Sequence, residues 1–457
     1  MLRPGHLILT LRAGERFAHV PARLDYLAGN ARPSSWLDRG PVDRVLMRIG
    51  GGARSLTVFH ARKSLERPAE RHIGFDDVEE SLGMPRTYRI GIGDPARSDD
   101  VVAALRDLAM VESASVQRLV IARDDPPVTA VVRNARSLRE LAYAPHARIH
   151  APGALGIEEG DERVIVAVVD TGIVIGHPEF QRKCLAGYDT VDLGLGRLND
   201  RLRLIGDSRG ADYNPYDDVG HGCHVAGIIG AQGWRIPRGV GGRAMLLPIR
   251  VLAAAVADGN PKRMGVGALP DIDCGLKVAC DLNADVLNLS FGTPSNAADP
   301  HAPAPHKQVL DYATHRDVVL VAAAGNSGMR EEFFPARHPA VIAVASVDAA
   351  GRRSKFSTWG AHLAIAAPGE NIVSAAPNGR YQLNTGTSFA APFVAGVAAL
   401  MRGRARRRDR RVPSEIVRRL LMESAEPLPG TTAEETGSGL LNAARALAAL
   451  DRWMEAA

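Results

Sequence analysis

The sequence predicts an α/β fold built on a largely parallel sheet and preceded by a smaller α+β domain. From about residue 164 onward, short apolar runs typical of strands buried on both faces alternate with segments of helical spacing. Residues 1 to about 140 are richer in charge and mix candidate strands with a candidate helix. The strands predicted for the sheet cover residues 164–170, 246–252, 285–292, 318–325 and 341–347. Strands that alternate with helices in this way indicate a parallel sheet.

The composition narrows the class of protein. The chain has 457 residues, of which 46% are apolar and 23% are charged, as is usual for soluble globular proteins. Its net charge of +5 is too small over this length to require a nucleic acid partner. The four cysteines form no CxxC pair, so they indicate neither a zinc site nor a disulfide framework. No run is long enough for a membrane span and no signal peptide is recognisable, so we expect a cytoplasmic protein.

The N-terminal region has candidate strands at residues 6–11, 44–49 and 87–93. A helix is predicted over residues 99–110, because plausible capping residues precede an apolar stripe of helical spacing. Residues 122–152 hold several prolines and few periodic runs, which predicts a linker. Further on, residues 401–411 contain seven arginines, which fit either a solvated loop after a helix or an anionic partner.

Polar residues stand at the places where a parallel sheet gathers its ligands. Asp170 ends the first predicted strand, and Asn326 follows the fourth. His221 and Ser388 each open a helical run. Taken singly, these residues fit turns, caps or a core histidine. Residues at such places are candidates for ligand binding or catalysis.

The helix that begins near residue 387 can contain Pro392 only because the proline lies close to the first turn. Its many Ala and Gly residues predict a buried helix with Ser388 at its mouth. A serine at this position has an unpaired backbone N–H, which suits stabilisation of a developing oxyanion.

Five segments around these residues resemble the subtilisin-like serine peptidases, or subtilases. The segments are VVDTG at Asp170, HGCHVAG at His221, LNLSFG at Ser290, AAAGNSG at Asn326 and GTSFAAPFVAG at Ser388. They occur in the order Asp, His, Ser, as in subtilisin, and the resemblance covers about residues 163–450. It implies a subtilisin-like, doubly wound, mainly parallel sheet in a catalytic domain at residues 153–457. The implied activity is that of a serine endopeptidase acting on protein or peptide substrates.

The resemblance also implies a role for each site residue. Ser388 is the nucleophile, His221 the general base and then acid, and Asp170 the group that orients the imidazole. The Asn326 side chain and the Ser388 N–H form the oxyanion hole. The residues that flank the substrate are Ser290, Phe291, Gly292, Ala323, Ala324 and Gly325, whose strands pair with an extended peptide.

The sequence departs from the family pattern at three places. Phe333 stands where the family often has glycine at the floor of the pocket for the residue before the cleaved bond. This predicts a preference for small or medium residues, with selection of Arg or Lys by Glu331 or Glu332 as the alternative. Cys223 replaces a common threonine, either as a small buried residue or as a thiol open to mercurials. Residues 231–242 lack the oxygen ligands expected of the usual calcium loop, so we expect no metal there and no cofactor.

Residues 42–130 resemble the family's inhibitory propeptide, through TYRIGIGD, the helix after it and VESASVQRLVIA. The resemblance implies a smaller N-terminal α+β domain with a ferredoxin-like fold, and inhibition of the enzyme by residues 1–140. Residues 1–41 are predicted as a separate extension and residues 131–152 as the linker. Two other functions stay open: a binding protein with a catalytically silent peptidase fold, and a maturation or defence protease dedicated to one partner protein.

Overall fold

Two seven-stranded sheets organise the chain in the computed structural model, which describes residues 1–66, 74–122, 135–199, 201–209, 213–300 and 302–456. All strand pairs of one sheet are antiparallel. All strand pairs of the other are parallel. Among the described residues, no helix has the length and apolar character that crossing a membrane requires.

The N-terminal domain has the ferredoxin-like arrangement of strands. Its elements are β1 (Leu2–Leu11), α1 (Arg23–Leu27), α2 (Pro41–Arg48), β2 (Ala53–Thr57), α3 (Arg62–Glu66), α4 (Asp77–Ser81), β3 (Thr87–Ile92), α5 (Ser98–Arg106) and β4 (Val111–Ala122). The strands pair in the order β2-β3-β1-β4. Because α2 joins β1 to β2 and α5 joins β3 to β4, each helix crosses between strands that are not neighbours.

The first strand lies in the middle of this domain. Leu7 of β1 pairs with Ile90 of β3 on one side and with Val116 of β4 on the other. Leu7, Leu9 and Leu11 are completely buried, which is the period-two pattern of a strand with one face in the core. Residues 1–41, predicted as a separate extension, therefore supply the central strand of the domain.

Residues 44–49 differ from the prediction, because most of them lie in α2 instead of a strand. Val42 and Leu46, four residues apart, are buried on one face of the helix. The Asp38 carboxylate accepts the N–H groups of Val42 and Asp43 at 3.0 Å, and Pro41 occupies the first helical position. This cap favours a helix for an apolar run that also fits a strand.

The remaining elements lie at residues 135–456, most of them within the catalytic domain predicted for residues 153–457. They are α6 (Ala135–Arg148), α7 (Ala151–Ile157), β5 (Ile165–Asp170), β6 (Tyr188–Asp189), β7 (Leu202–Leu204), α8 (His221–Gly230), β8 (Met245–Arg250), β9 (Ala253–Ala257), β10 (Asn260–Ala268), α9 (Leu269–Asp281), β11 (Val286–Leu289), β12 (Thr293–Pro294), α10 (Lys307–His315), β13 (Val319–Ala323), β14 (Phe333–Phe334), β15 (Val341–Val347), β16 (Ile365–Pro368), β17 (Ile372–Ala376), β18 (Arg380–Asn384), α11 (Thr387–Arg407), α12 (Ser414–Glu423), α13 (Ala433–Thr436) and α14 (Ala443–Ala456). The parallel sheet has the order β16-β15-β13-β11-β5-β8-β6. Every residue of β11, β13 and β15 is buried, so both faces of the sheet are covered, as predicted for these strands.

Two other segments differ from their predictions. Residues 135–148 and 151–157 are helical, although residues 131–152 are predicted as a linker; residues 123–134 lie outside the described part of the chain. The first of these helices contains Pro145, so a proline does not mark a linker here. The arginine-rich segment mostly continues α11, and several of its side chains form ion pairs. These pairs are Arg402 with Asp317, Arg404 with Asp451, and Arg406 with Asp285.

The antiparallel sheet joins the two domains. Residues 119–122 of β4 pair with residues 265–268 of β10, and the sheet continues through β9 to β7. Val58, Phe59 and Met84 of the N-terminal domain also belong to the large apolar core of the catalytic domain. The N-terminal domain is therefore attached by main-chain bonds and by shared core packing.

Buried charges pair across the same boundary. Asp271 of α9 lies 3.1 Å from both Arg23 and Arg89 of the N-terminal domain. In a second cluster, Lys277 Nζ lies 2.5 Å from Glu79 and 2.6 Å from Asp281. All three side chains of this second cluster are at most 1% exposed. Loss of one partner would leave a buried charge uncompensated.

We expect Lys277→Met to lower the free energy of unfolding by about 3–5 kcal/mol, because Glu79 and Asp281 lose their buried cation. Lys307→Met is the matched control. Lys307 also forms an ion pair, but 57% of its side chain is exposed, so its loss is expected to cost less than about 1 kcal/mol. Urea denaturation of both variants measures the difference, and equal losses would contradict the prediction.

Candidate active site

Asp170 and His221 meet at the carboxyl end of the parallel sheet. Asp170 is the last residue of β5 and His221 is the first residue of α8. The Oδ1 atom of Asp170 lies 2.7 Å from Nδ1 of His221. Asp170 is fully buried and His221 is 3% exposed. A buried carboxylate in this position fixes the orientation and the tautomer of the imidazole.

Two glycines make this approach possible. A Cβ atom on Gly222 would come 2.1 Å from the carbonyl oxygen of Gly172, so the start of α8 packs directly on the turn after β5. Gly172 has φ +108°, and a Cβ atom there would come 2.4 Å from the carbonyl oxygen of Pro215. Larger residues would separate the two elements that carry Asp170 and His221.

Ser388 is the second residue of α11 and is 6% exposed. Its hydroxyl donates to the carbonyl oxygen of Ser290 at 3.1 Å. In return, the Ser290 hydroxyl donates to the Ser388 carbonyl oxygen at 2.8 Å. That carbonyl needs an outside donor, because Pro392, four residues later, has no N–H to give it. The Ser290 hydroxyl therefore supplies the hydrogen bond that Pro392 cannot give.

Asn326 lies beside the start of the same helix. Its Oδ1 accepts hydrogen bonds from the backbone N–H of Thr387 at 2.9 Å and from the Thr387 hydroxyl at 2.8 Å. Because the amide oxygen is held there, the amide nitrogen points away from Thr387. A Cβ atom on Gly386 would come 3.3 Å from that nitrogen, a close contact that glycine avoids.

The residues predicted to flank a substrate occupy different environments. The ring of Phe333 lies between Gly325 and Gly292: Cβ atoms on these glycines would come 2.7 Å and 3.2 Å from the ring. Phe291 is 3% exposed and packs its ring against His306, so only its main chain is available to a peptide. Ala323 and Ala324 are likewise buried.

Cys223 and His224 follow His221 in the first turn of α8, and both are completely buried. Burial raises the pKa of the Cys223 thiol well above its usual value, and its sulfur accepts the N–H of Val174 at 3.2 Å. This environment matches the small buried residue of the two alternatives, since an accessible reactive thiol has a lowered pKa. Burial lowers the pKa of His224 to about 3, which keeps its ring neutral.

Two buried carboxylates were missed by the sequence analysis. Asp217 accepts hydrogen bonds around the start of α8, as described below. Glu179 accepts the N–H groups of residues 233–236 and the hydroxyl of Tyr381. The loop at residues 231–242 thus turns N–H donors towards a carboxylate, whereas a calcium ion requires oxygen ligands. Among the described residues, no group of three or more His, Cys, Asp or Glu side chains is placed to hold a metal.

Comparison with known proteins gives one consistent family. Residues 161–443 match the model of the subtilase family. The chain is 33% identical over 331 residues to the thermophilic serine proteinase of Bacillus sp. (strain AK1), covering 72% of this chain and 71% of that protein. It is 34% identical to thermitase of Thermoactinomyces vulgaris, covering 63% of this chain and 90% of the relative. It is 35% identical to subtilisin Savinase of Lederbergia lenta, covering 65% of this chain and 95% of that protein.

The buried neutral His224 predicts a dependence of stability on pH. Its pKa rises from about 3 in the folded protein to the ordinary 6.5 on unfolding, so the unfolded state binds more protons below pH 6.5. This contribution to stability is present above pH 6.5 and is lost as the pH falls, at about 1.4 kcal/mol per pH unit. Between pH 7 and pH 5 we expect the free energy of unfolding of the native chain to fall by about 2 kcal/mol more than that of His224→Gln. Identical pH dependences in urea unfolding would contradict this.

Proposed function

This chain belongs to the subtilase family and is a serine endopeptidase, and we propose that its reaction proceeds through Asp170, His221 and Ser388. The observation that supports this assignment best is the buried hydrogen bond of 2.7 Å between Asp170 and His221, at the sheet edge where the helix of Ser388 begins. These residues also lie in the order expected for this family.

In the proposed reaction, the hydroxyl proton of Ser388 passes to Nε2 of His221, since Asp170 engages Nδ1. Ser388 Oγ then forms a bond to the carbonyl carbon of the peptide. His221 returns the proton to the leaving amine as the peptide C–N bond breaks, which leaves an ester on Ser388. Water, activated by the same imidazole, hydrolyses that ester and restores the serine hydroxyl.

The developing negative charge on the peptide carbonyl oxygen needs donors that are already in place. We assign these to the Asn326 amide nitrogen and the backbone N–H of Ser388. The Ser388 N–H lies in the first turn of α11, where helix N–H groups have no partner within the helix. Donors held before the reaction require little reorganisation, which is why they stabilise the transition state effectively.

We expect Ser388→Ala and His221→Ala each to lower peptide hydrolysis by at least about 10³-fold without unfolding the protein, because the surrounding core stays packed. Ser327→Ala, which removes a hydroxyl near Asn326 but outside the proposed machinery, is the control and should keep its activity. Hydrolysis of a peptide anilide measures the activity, and circular dichroism shows whether each variant is folded. A Ser388→Ala protein with native activity would refute the assignment.

The N-terminal domain is proposed to inhibit the site within the same chain. Its strand β4 pairs with β10 through residues 119–122, in the way an extended peptide adds to a sheet edge. A Cβ atom on Gly265 of β10 would come 2.8 Å from the side chain of Thr171, the residue after Asp170. The strand of the N-terminal domain is therefore bonded to a strand that packs against the residue after Asp170, and this position supports the proposed inhibition.

If the domain is an inhibitor, activity should appear together with a cut between residues 124 and 152. A peptide must be extended to bind a sheet edge, and residues 135–148 and 151–157 are helical. We therefore expect the cut within residues 124–134, which lie outside the described residues. N-terminal sequencing during incubation locates it, with Ser388→Ala as the control that should stay intact. An uncut chain with full activity would exclude inhibition by residues 1–140.

The position of the Phe333 ring supports a short pocket for the residue before the cleaved bond. Glu332 forms an ion pair with Arg337 at 2.9 Å, which disfavours its use to select a basic residue. We expect small or medium residues to be cleaved best. Phe333→Gly should shift the preference towards Phe and Tyr by about 10- to 200-fold in kcat/KM. Peptides varied at this one position measure the shift, and a native preference for Arg or Phe would contradict the steric explanation.

A further inference from the structure

Asp217 is a completely buried carboxylate four residues before His221. Its Oδ1 accepts three hydrogen bonds: from the Thr171 hydroxyl at 2.8 Å, from the N–H of Val219 at 2.9 Å and from the N–H of Gly220 at 2.7 Å. Its Oδ2 accepts the N–H of Cys223 at 2.8 Å. Three of these donors are backbone groups at the start of α8, the helix that His221 begins.

Thr171 connects the same carboxylate to the other half of the site. Its backbone N–H donates to Oδ1 of Asp170 at 2.7 Å, and its hydroxyl accepts the N–H of Gly222 at 2.9 Å while donating to Asp217. The contacts therefore form a closed ring. It runs from Asp170 through Thr171 and Asp217 to the first turn of α8, and returns to Asp170 through His221.

We propose that Asp217, acting through Thr171, is a positioning residue that fixes His221 against Asp170 during catalysis. This proposal rests on the proposed function of Asp170, His221 and Ser388. In the ring of contacts, Asp217 determines the distance between the end of β5 and the start of α8. The Asp170–His221 hydrogen bond depends on that distance, because it forms only while the two backbone segments hold both side chains within reach.

The electrostatics agree with this role. Burial raises the pKa of Asp217 above its ordinary value, and the hydrogen bonds from the surrounding N–H and O–H groups offset part of this rise by stabilising the carboxylate. Negative charge is favoured at the N-terminus of a helix, where N–H groups point outward. An ionised carboxylate can accept all four bonds at once, and a neutral amide cannot.

A plain helix cap is the competing explanation, and the two differ in what a substitution changes. Loss of a cap lowers stability and leaves turnover unchanged. Loss of positioning lowers kcat even where the protein is fully folded, because a displacement of about 1 Å at the reacting atoms can cost about 10²-fold in rate. Substrate binding is unaffected, so KM changes little.

The decisive variant is Asp217→Asn in the full chain, assayed after incubation until activity is constant. An asparagine that keeps the three bonds to Oδ1 presents an NH₂ group to the N–H of Cys223, so donor faces donor and the first turn must shift. We expect kcat for a peptide anilide to fall by about 10- to 100-fold, with KM within about threefold. Asp218→Asn, the same change at the neighbouring carboxylate, should leave kcat unchanged.

Thr171 supplies an independent test. Thr171→Val removes the hydroxyl bridge and should lower kcat like Asp217→Asn, whereas Thr171→Ser keeps the hydroxyl and should retain most of the turnover. The double variant Asp217→Asn with Thr171→Val should be no slower than the slower single variant, since both break one ring. If Asp217→Asn does not fold, the comparison of Val with Ser at residue 171 decides.

Native kcat in folded Asp217→Asn would overturn the proposal, as would equal kcat for Thr171→Val and Thr171→Ser. Failure of the proposed function gives a different result. In that case Ser388→Ala would remain active, whatever the behaviour of the Asp217 variants.

Discussion

The start of α8 packs against the turn after β5 so closely that neither Gly172 nor Gly222 has room for a side chain. This contact brings His221 within hydrogen-bond distance of Asp170, and the ring through Thr171 and Asp217 closes around it. The rest of the site is arranged relative to this pair. Parallel strands place their carboxyl ends at one edge, and α11 begins at that edge with Ser388 beside Asn326. A sheet of another topology would scatter the same side chains.

The N-terminal domain is attached by strand addition, the kind of contact through which the enzyme is proposed to bind an extended substrate. Strand β4 adds to the edge of β10 by main-chain hydrogen bonds, which depend little on side-chain identity. Side chains supply the specificity that main-chain pairing lacks. Arg23, Arg89 and Lys277 are each paired with a carboxylate across the boundary. Buried ion pairs contribute modest net stability, but they are costly to break and so specify one docking position. The same boundary thus favours a bound domain, which is the arrangement that the proposed inhibition requires.

The sequence was most informative where local pattern and tertiary structure agree. Short apolar runs predicted the parallel strands, and Asp170 and Asn326 were proposed as site residues because each follows one of these strands. His221 and Ser388 were proposed because each opens a helical run. Prediction failed where a local signal was ambiguous. The apolar run at residues 44–49 fits a strand or a helix, and the cap by Asp38 distinguishes them. The prolines before residue 152 indicated a linker, although α6 contains one of them.

Asp217 and Glu179 could not be found from the sequence for another reason. Their partners are mostly backbone N–H groups, which every residue type except proline carries, so the sequence does not show which of them face a carboxylate. The spacing of four residues between Asp217 and His221 was the one available signal, and an isolated Asp at that spacing has many ordinary explanations. Likewise, the central place of β1 follows from pairing with strands about 80 to 110 residues away.

Mass spectrometry of the chain after reaction with a fluorophosphonate tests the central claim most directly. The reagent leaves a covalent adduct on a serine whose hydroxyl is activated by a neighbouring base. The geometry predicts one adduct, on the peptide that contains Ser388, and its loss when His221 is replaced by alanine. An adduct on Ser290 or another serine in place of Ser388, or labelling of Ser388 that persists at the native rate without His221, would contradict the proposed catalytic site.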